Sequence, residues 1–390
     1  MNDYLFFFGR TPNLSWVELL VFFPGATKLF ETVAVVSEKE FQSKDRSPDE
    51  WIRILGGVTK ISRVVTRLPY VATPADLASV VSDARVPGAG TLTFGVSTSE
   101  ADAPIPRHFL EKMKQILASD DHRVRFIESR HGNALTSVVI AKNDIIDIVL
   151  LKVSDGYSIS RTLAVQDFES WSQRDYGRPH ADPKAGMLPP KVARMAVNIA
   201  GTPGGVLLDP FCGMGTVLAE ALLLGWCVKG SDQSEEVVEK AKLNLEWLEK
   251  LYLHGKVAIF PDMKLFVSDA THVSEYLKPE SINAIVTEPY MGPTIGENDK
   301  FRMTNDKLKN VIKGLEKLYL GCLKDWHPIL KTGGRVVIAL PEYKIEDKMF
   351  FVKKVIDRCE NLGYTKLHGP VEYGRPQAIV RREFYVFEKT

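Results

Sequence analysis

Four acids stand at the ends of four apolar runs in the C-terminal half of the sequence. Asp209 closes GVLLD, Asp232 closes CVKGSD, Asp269 lies in LFVSDA and Glu288 follows INAIVT. After the first run comes DPFCGMGT, where Gly213 and Gly215 form a turn directly before the helix-like TVLAEALLLG. Glycines in such a turn let a ligand approach the backbone, and the helix N-terminus points free amides at it. Asp232, at the next strand end, suits the two hydroxyls of a ribose, and Asp269 suits an adenine amino group. Asp209, Pro210, Phe211, Gly213, Gly215, Thr216, Asp232, Asp269 and Ala270 are therefore the candidate cofactor-binding residues. A cofactor carrying amine, ribose and adenine, S-adenosylmethionine, fits this series of acceptors. A dinucleotide fingerprint would want a third glycine at position 218, where Leu218 stands, and no Gly-Lys-Ser/Thr follows the turn to make a Walker A loop.

The fourth acid opens Glu288-Pro289-Tyr290-Met291-Gly292-Pro293. An apolar run that stops in this way presents a carboxylate and a ring from a strand end, where open α/β sheets keep their chemistry. Glu288, Pro289 and Tyr290 are the candidate catalytic residues.

The elements that must position these groups alternate from Gly205 onward. GVLLD, CVKGSD, KLFVSDA, INAIVTE and GGRVVIAL read as strands. TVLAEALLLG, SEEVVEKAKLNLEWLEKL, about 306–326 and DKMFFVKKVIDRCENLG read as helices. In the second helix Val237, Ala241 and Leu245 recur on one face, with Glu235 and Glu236 in the first turn, where the helix dipole favours them. Such alternation predicts a doubly wound, mostly parallel α/β sheet of seven strands. YTKLHGPVEYG and AIVRREFYVFEK follow with no helix between them, which predicts two closing strands at one edge, at least one antiparallel. PKVARMAVNIAG reads as a short helix with Val192, Met195, Ala196 and Ile199 on one face.

Upstream, residues 166–190 are rich in Pro, Gly and charge and are expected to link an N-terminal α+β region, 1–165, to a catalytic region, 191–390. The N-terminal region mixes strand-like DYLFFFG, KISRVVTRL, GTLTFGVST, VRFIES, LTSVVIAK and DIVLLKV with helix-like LSWVELLVFF and RHFLEKMKQILAS. A net charge of +1, from 50 basic and 49 acidic residues, gives no global field toward nucleic acid or an anionic membrane, so any basic face must be local. Neither a signal peptide nor an apolar run of membrane-helix length is present, and a soluble, cytoplasmic protein is expected. Four scattered cysteines and eight dispersed histidines give no zinc or disulfide pattern, so no metal is assigned.

DPFCGMGT followed by TEPY resembles the first and fourth motifs of the amino-methyltransferases, whose fourth motif reads Asp/Asn-Pro-Pro-Tyr/Phe/Trp. RDYGRPHADPKAGMLPPKVARMAVNIAG, the opening YLFFFGRTPNLSWVEL and the TLTFGVS, VRFIES and LTSVVIAKND series look like the THUMP-containing tRNA guanine-N2 methyltransferases that modify the guanosine at position ten. The resemblance covers nearly the whole chain. It implies a class I methyltransferase domain behind a THUMP-like RNA-binding domain, S-adenosylmethionine as methyl donor, tRNA as partner and, as in some relatives, a small activator subunit. The implied chemistry is methylation of a purine amine, a poor nucleophile because its lone pair is delocalised into the ring. Glu288 and the Pro289 carbonyl would accept hydrogen bonds from that amine and stabilise the charge that develops on attack. Tyr290 would stack on the extruded base. The sequence departs from the pattern in carrying Glu at 288 and a single proline, so that either Tyr290 or Met291 takes the aromatic position.

Arg123, Arg125, Arg130, His131 and Lys142 in the N-terminal half, with Arg174, Arg178, Lys184 and Lys191 near the linker, are candidates for a phosphate-contacting face. Of these, Arg123, Arg125, Lys142, Arg178 and Lys191 are the principal RNA-binding assignments. Two rival readings share the motifs: a DNA amino-methyltransferase acting on adenine N6 or cytosine N4, and an RNA-binding protein of weak catalytic power.

Overall fold

The computed structural model describes residues 3–84, 90–99, 103–118, 123–130, 132–182, 187–252, 262–293, 305–345, 348–374 and 378–390. His131 and Lys184 lie outside them. The chain divides into two compact units, Met1–Glu169 and Ser170–Thr390.

The first unit runs β1 (Tyr4–Phe8), α1 (Pro12–Phe22), β2 (Thr27–Phe30), β3 (Val33–Val36), α2 (Glu38–Gln42), α3 (Pro48–Ile54) and β4 (Val58–Leu68). It continues through α4 (Pro74–Asp83), β5 (Leu92–Thr98), α5 (Arg107–Leu117), β6 (Val124–Phe126), α6 (Ser137–Asn143), β7 (Ile146–Val153) and β8 (Gly156–Val165). Its eight strands form one sheet in the order β2-β3-β1-β4-β8-β7-β5-β6. The ladders are antiparallel except where β5 runs parallel to β6 and β7. Aromatic Phe6, Phe23, Phe41 and Trp51 fill one core, and Leu77, Phe94, Met113 and Ile148 another. Buried Asp147 accepts from Lys60, Ser97 and Thr162, so the charge that the sheet encloses is fully bonded. LTSVVIAK, read as a strand, is instead helix α6. The Thr136 hydroxyl caps it by accepting from Val139 N at 3.3 Å, and Asp144 ends it in the left-handed conformation. Local capping here overrides the strand preference of the β-branched pair.

The second unit takes in most of α7 (Phe168–Tyr176), then α8 (Pro190–Ala200), β9 (Val206–Asp209), α9 (Thr216–Leu224), β10 (Cys227–Asp232), α10 (Glu235–Tyr252) and β11 (Met263–Val267). β12 (Ile282–Thr287), α11 (Asn305–Trp326), β13 (Leu330–Ile345), β14 (Lys348–Phe351), α12 (Lys353–Arg358), β15 (Tyr364–Tyr373) and β16 (Val380–Lys389) complete it. The sheet order is β11-β10-β9-β12-β13-β16-β15, with β14 on β13 as an eighth strand. The first five strands are parallel, and β16 is antiparallel to both its neighbours. This is the class I methyltransferase order. The carboxyl ends of β9, β10, β11 and β12 thereby meet at one edge, and with them the four acids.

Three details differ from the pattern read in the sequence. DKMFFVKKVIDRCENLG is not one helix: KMFF extends a hairpin with Glu342–Ile345 of β13, and only Lys353–Arg358 is α-helical. α8 is buried on every side except Lys191, so its helical periodicity marks no outer face. Within the stretch 166–190, the part from α7 to Arg178 is not a free linker. α7 buries Trp171 and Arg174, and Arg174 and Arg194 both pair with buried Glu220 at 2.7 and 2.6 Å. An acid enclosed in this way is stable only with its cations, which fixes the segment to the domain.

Candidate active site

The glycine turn is built as its residue types require. Gly213 and Gly215 take φ of +48° and +83°, and Gly215 caps α9. The place a dinucleotide site gives to a third glycine holds buried Leu218, and the close helix–strand approach is achieved from the other partner. Gly230 of β10 faces it, and a Cβ there would come 2.4 Å from Leu218 Cδ1. Below the turn, Asn244 of α10 donates to the carbonyls of Met214 and His180 and accepts from His180 N, tying the entry segment to the loop.

Each of the first three acids accepts at least one bond from its own loop. Asp232 accepts from Gly213 N at 3.3 Å on one oxygen and from Ser234 N at 3.1 Å on the other, leaving lone pairs on both for a diol. Asp269 accepts from Thr271 N and Oγ1 on Oδ1, and these bonds hold its carboxyl below the usual range. Asp209, only 2% exposed, accepts from Phe211 N and from Thr287 Oγ1 at 2.6 Å. Burial, with the charges of Asp232 and Glu288 nearby, pushes its carboxyl up to about 7.

Glu288 is held differently. It forms an ion pair with Arg382 of β16, from Arg382 Nε to Oε1, with the two side chains 15% and 22% exposed. Burial pushes its carboxyl up and Arg382 pulls it back. The loop behind it is pinned by two buried tyrosines. Tyr319 of α11 donates to the Tyr290 carbonyl at 2.6 Å, and Tyr343 of β13 donates to the Met291 carbonyl. Gly292 turns the chain at φ +92°, and a Cβ there would stand 2.0 Å from Tyr343 Oη. Tyr290 is 57% exposed.

One cavity of about 470 Å³ joins these groups. It is lined by all the cofactor and catalytic candidates except Gly215, and also by Met187, Leu188 and Val237. Lysine and arginine are absent from its described lining, so the pyrophosphate of a dinucleotide finds no counter-charge. Carboxylates, a glycine turn and apolar walls fit S-adenosylmethionine, which carries a cationic sulfonium and ammonium, a diol and an adenine. Among the described residues no cluster of His, Cys, Asp and Glu could hold a metal, and no helix is long and apolar enough to cross a membrane.

The RNA-facing candidates fare unevenly. Arg123 and Lys142 are exposed, the latter with its ammonium 5.2 Å from the Phe168 ring centre. Arg125 is exposed and donates from Nε to Thr93 Oγ1. Lys191 lies 5.7 Å from the Trp171 ring. Arg178 is a correction: its side chain is 5% exposed and donates to Thr216 Oγ1 at 2.7 Å and to the Asp175 carbonyl. Arg174 is likewise spent on Glu220. Both cations organise the entry segment and the glycine turn, and neither faces a phosphate. Sequence reasoning also missed Thr287, Tyr319, Tyr343, Arg382 and Asn244. Only Asn244 left a signal, as a polar residue on the apolar stripe of α10 between Ala241 and Leu248.

Two family models match the chain: one described as an RMKL-like methyltransferase domain over residues 178–366, and one described as a DNA methylase over 101–243. A tRNA (guanine(10)-N2)-dimethyltransferase of Methanothermobacter thermautotrophicus is 34% identical over 49% of each chain. One of Pyrococcus abyssi is 28% identical over 70% of this chain and 72% of its own. A probable enzyme of the same name from Methanothermococcus thermolithotrophicus is 31% identical over 32% of this chain and 74% of that sequence. The matched stretch thus spans about half the length of the first relative. A solved structure titled a predicted N6-adenine-specific DNA methylase from Listeria monocytogenes covers 98% of this chain and 96% of its own, at 10% identity and a TM-score of 0.45. By its motifs, its strand order and these relatives, the chain belongs to the tRNA (guanine(10)-N2)-dimethyltransferase family.

Proposed function

We propose that the protein is a cytoplasmic enzyme that methylates the exocyclic N2 amine of a guanosine in tRNA, with S-adenosylmethionine as donor. The observation that carries this reading is the single cavity joining the glycine turn and three strand-end acids to Glu288-Pro289-Tyr290. When bound, S-adenosylmethionine supplies an electrophilic methyl group on a sulfonium.

The chain's own residues supply position and charge. Asp232 accepts the ribose hydroxyls and Asp269 the adenine amine, while the turn at Gly213 and Gly215 lets the ligand close on the backbone. Glu288 and the Pro289 carbonyl accept hydrogen bonds from the guanine amine and stabilise the positive charge that grows on nitrogen. Tyr290, half out in solvent, is placed to stack on an extruded base. Residues 1–165, as a THUMP-like region with Arg123, Arg125 and Lys142 outward, capture the RNA, and Lys191 adds a cation near the entry segment.

Labelled methyl from S-adenosylmethionine, offered to unmodified tRNA and to DNA and followed by nucleoside analysis, tests this. The expected product is N2-methylated guanosine in tRNA, and Glu288→Gln should lower its rate by roughly a hundred- to a thousandfold, the usual scale for a lost transition-state acceptor or donor. Label in DNA would favour the amino-methyltransferase reading that the DNA methylase match suggests. Absence of label in both, with cofactor bound, would leave an RNA-binding protein or one that needs a small activator subunit.

A further inference from the structure

Of the four strand-end acids, Glu288 is the one paired with a cation among the described residues. Arg382 reaches it across 94 positions, from near the start of β16. There Arg382 lies opposite Pro341 of β13 and Tyr373 of β15 in the two ladders, and its guanidinium carbon is 5.8 Å from the Tyr373 ring centre. The antiparallel strand is therefore what brings a cation to the acceptor acid. Both side chains are mostly enclosed, so the pair is shielded from the solvent that weakens surface ion pairs. The acid itself is a glutamate where the family motif has a shorter side chain. Its extra methylene adds a rotatable bond, and an acceptor free to swing by about 1 Å would lose on the order of a hundredfold in rate.

We propose that Arg382 is a positioning residue for the acceptor: holding Oε1 of Glu288, it fixes the longer side chain in one rotamer and presents Oε2 to the amine. The inference rests on the methyl-transfer reading and adds to it the device that makes a glutamate serviceable at this position. Among the described residues, no second cation pairs with the acid. Tyr319 of α11 is committed to the Tyr290 carbonyl and Tyr343 of β13 to the Met291 carbonyl, while Asp209 of β9 is a carboxyl and has no cation to offer. Removing the cation leaves burial unopposed, so the Glu288 carboxyl should then titrate at higher pH.

The test uses the full chain with ¹³C-labelled glutamate carboxyls, Glu288→Gln identifying the resonance, in wild type, Arg382→Gln and Arg382→Lys. In Arg382→Gln the Glu288 titration should move up. On tRNA the acid limb of the kcat profile should move the same way, with kcat down roughly ten- to a hundredfold and KM for S-adenosylmethionine unchanged. Arg382→Lys keeps the charge but not the planar fork, so its titration should return toward wild type while kcat stays low. A Glu288 titration in Arg382→Gln that coincides with wild type overturns the proposal, as does an unchanged kcat profile. Should the glutamine variant not fold, a lysine variant with wild-type kcat overturns it alone. The carboxyl titration needs no RNA, so a wild type that leaves tRNA unlabelled would count against the proposed activity and leave this result readable.

Discussion

The two sides of the cavity are held by different kinds of bond. On the cofactor side, Asp232 and Asp269 are fixed by groups of their own loop or the neighbouring one, Asp232 by the Gly213 and Ser234 amides and Asp269 by Thr271, while Asp209, between the two sides, takes one bond from Phe211 N and one from Thr287 of β12. On the acceptor side, the same end of the same sheet is fixed by side chains from distant elements: Arg382 of β16, Tyr319 of α11 and Tyr343 of β13. A cofactor common to many reactions is met by short-range geometry that a strand, a turn and a helix generate together. The substrate amine is met by parts added from the edge of the fold, so this is where one enzyme can differ from another without disturbing the donor site.

The sharpest way to separate the two sides is Gly292→Val. Its Cβ would collide with Tyr343 Oη in a backbone conformation that L side chains rarely adopt, so the Glu-Pro-Tyr loop must move. Methyl transfer should fall by about a hundredfold or more while calorimetry shows cofactor affinity unchanged, since misplacement near 1 Å suffices for such a loss. A parallel fall in cofactor affinity would mean that the two sides are one mechanical unit. Asp232→Ala is the converse. It should weaken cofactor binding by roughly ten- to a hundredfold, since a hydrogen bond to a charged group is worth about 1.5–3 kcal/mol. At saturating cofactor, kcat should recover toward wild type; a kcat that stays low would break the division.

The smallest effect concerns Asp209, the acid between the two sides. Its carboxyl is raised to about 7 in the folded chain against about 3.9 when unfolded, so the folded state binds the extra proton. Its contribution to stability is therefore complete below about pH 4 and is lost as pH rises through about 7. Asp209→Asn retains an Oδ1 to accept from Phe211 N and Thr287 Oγ1 but cannot ionise. Melting temperatures of variant and wild type should diverge in the variant's favour between about pH 5 and about pH 8. A constant difference would show that Asp209 does not titrate in that window.

What could be read in the sequence follows the same divide. VLLD, the glycine turn and the acids at three strand ends are contiguous patterns, and Cys227–Asp232 and Thr216–Leu224 stand where alternation and the turn put them. Arg382 could not be read, because REFYVFE is an ordinary strand until the ladder sets Arg382 beside the end of β12. Arg178 and Arg174 misled for the opposite reason: a Pro- and Gly-rich segment with several charges looks solvated, yet Arg174 is enclosed with Arg194 against Glu220, and Arg178 against Thr216 and Asp175. LTSVVIAK misled because the capping threonine outweighed the β-branched residues that follow it.

The contact between Leu218 and Gly230 ties two positions into one shared space. Leu218 of the helix occupies the space that a side chain at 230 on the strand would need. Neither position is then free to change alone: a side chain at 230 would force the helix away from the sheet and open the turn at Gly213, whereas glycine at 218 would leave a hole that only a new side chain at 230 could fill. Substitutions at these two sites should be tolerated as an exchange of volume and rejected one at a time.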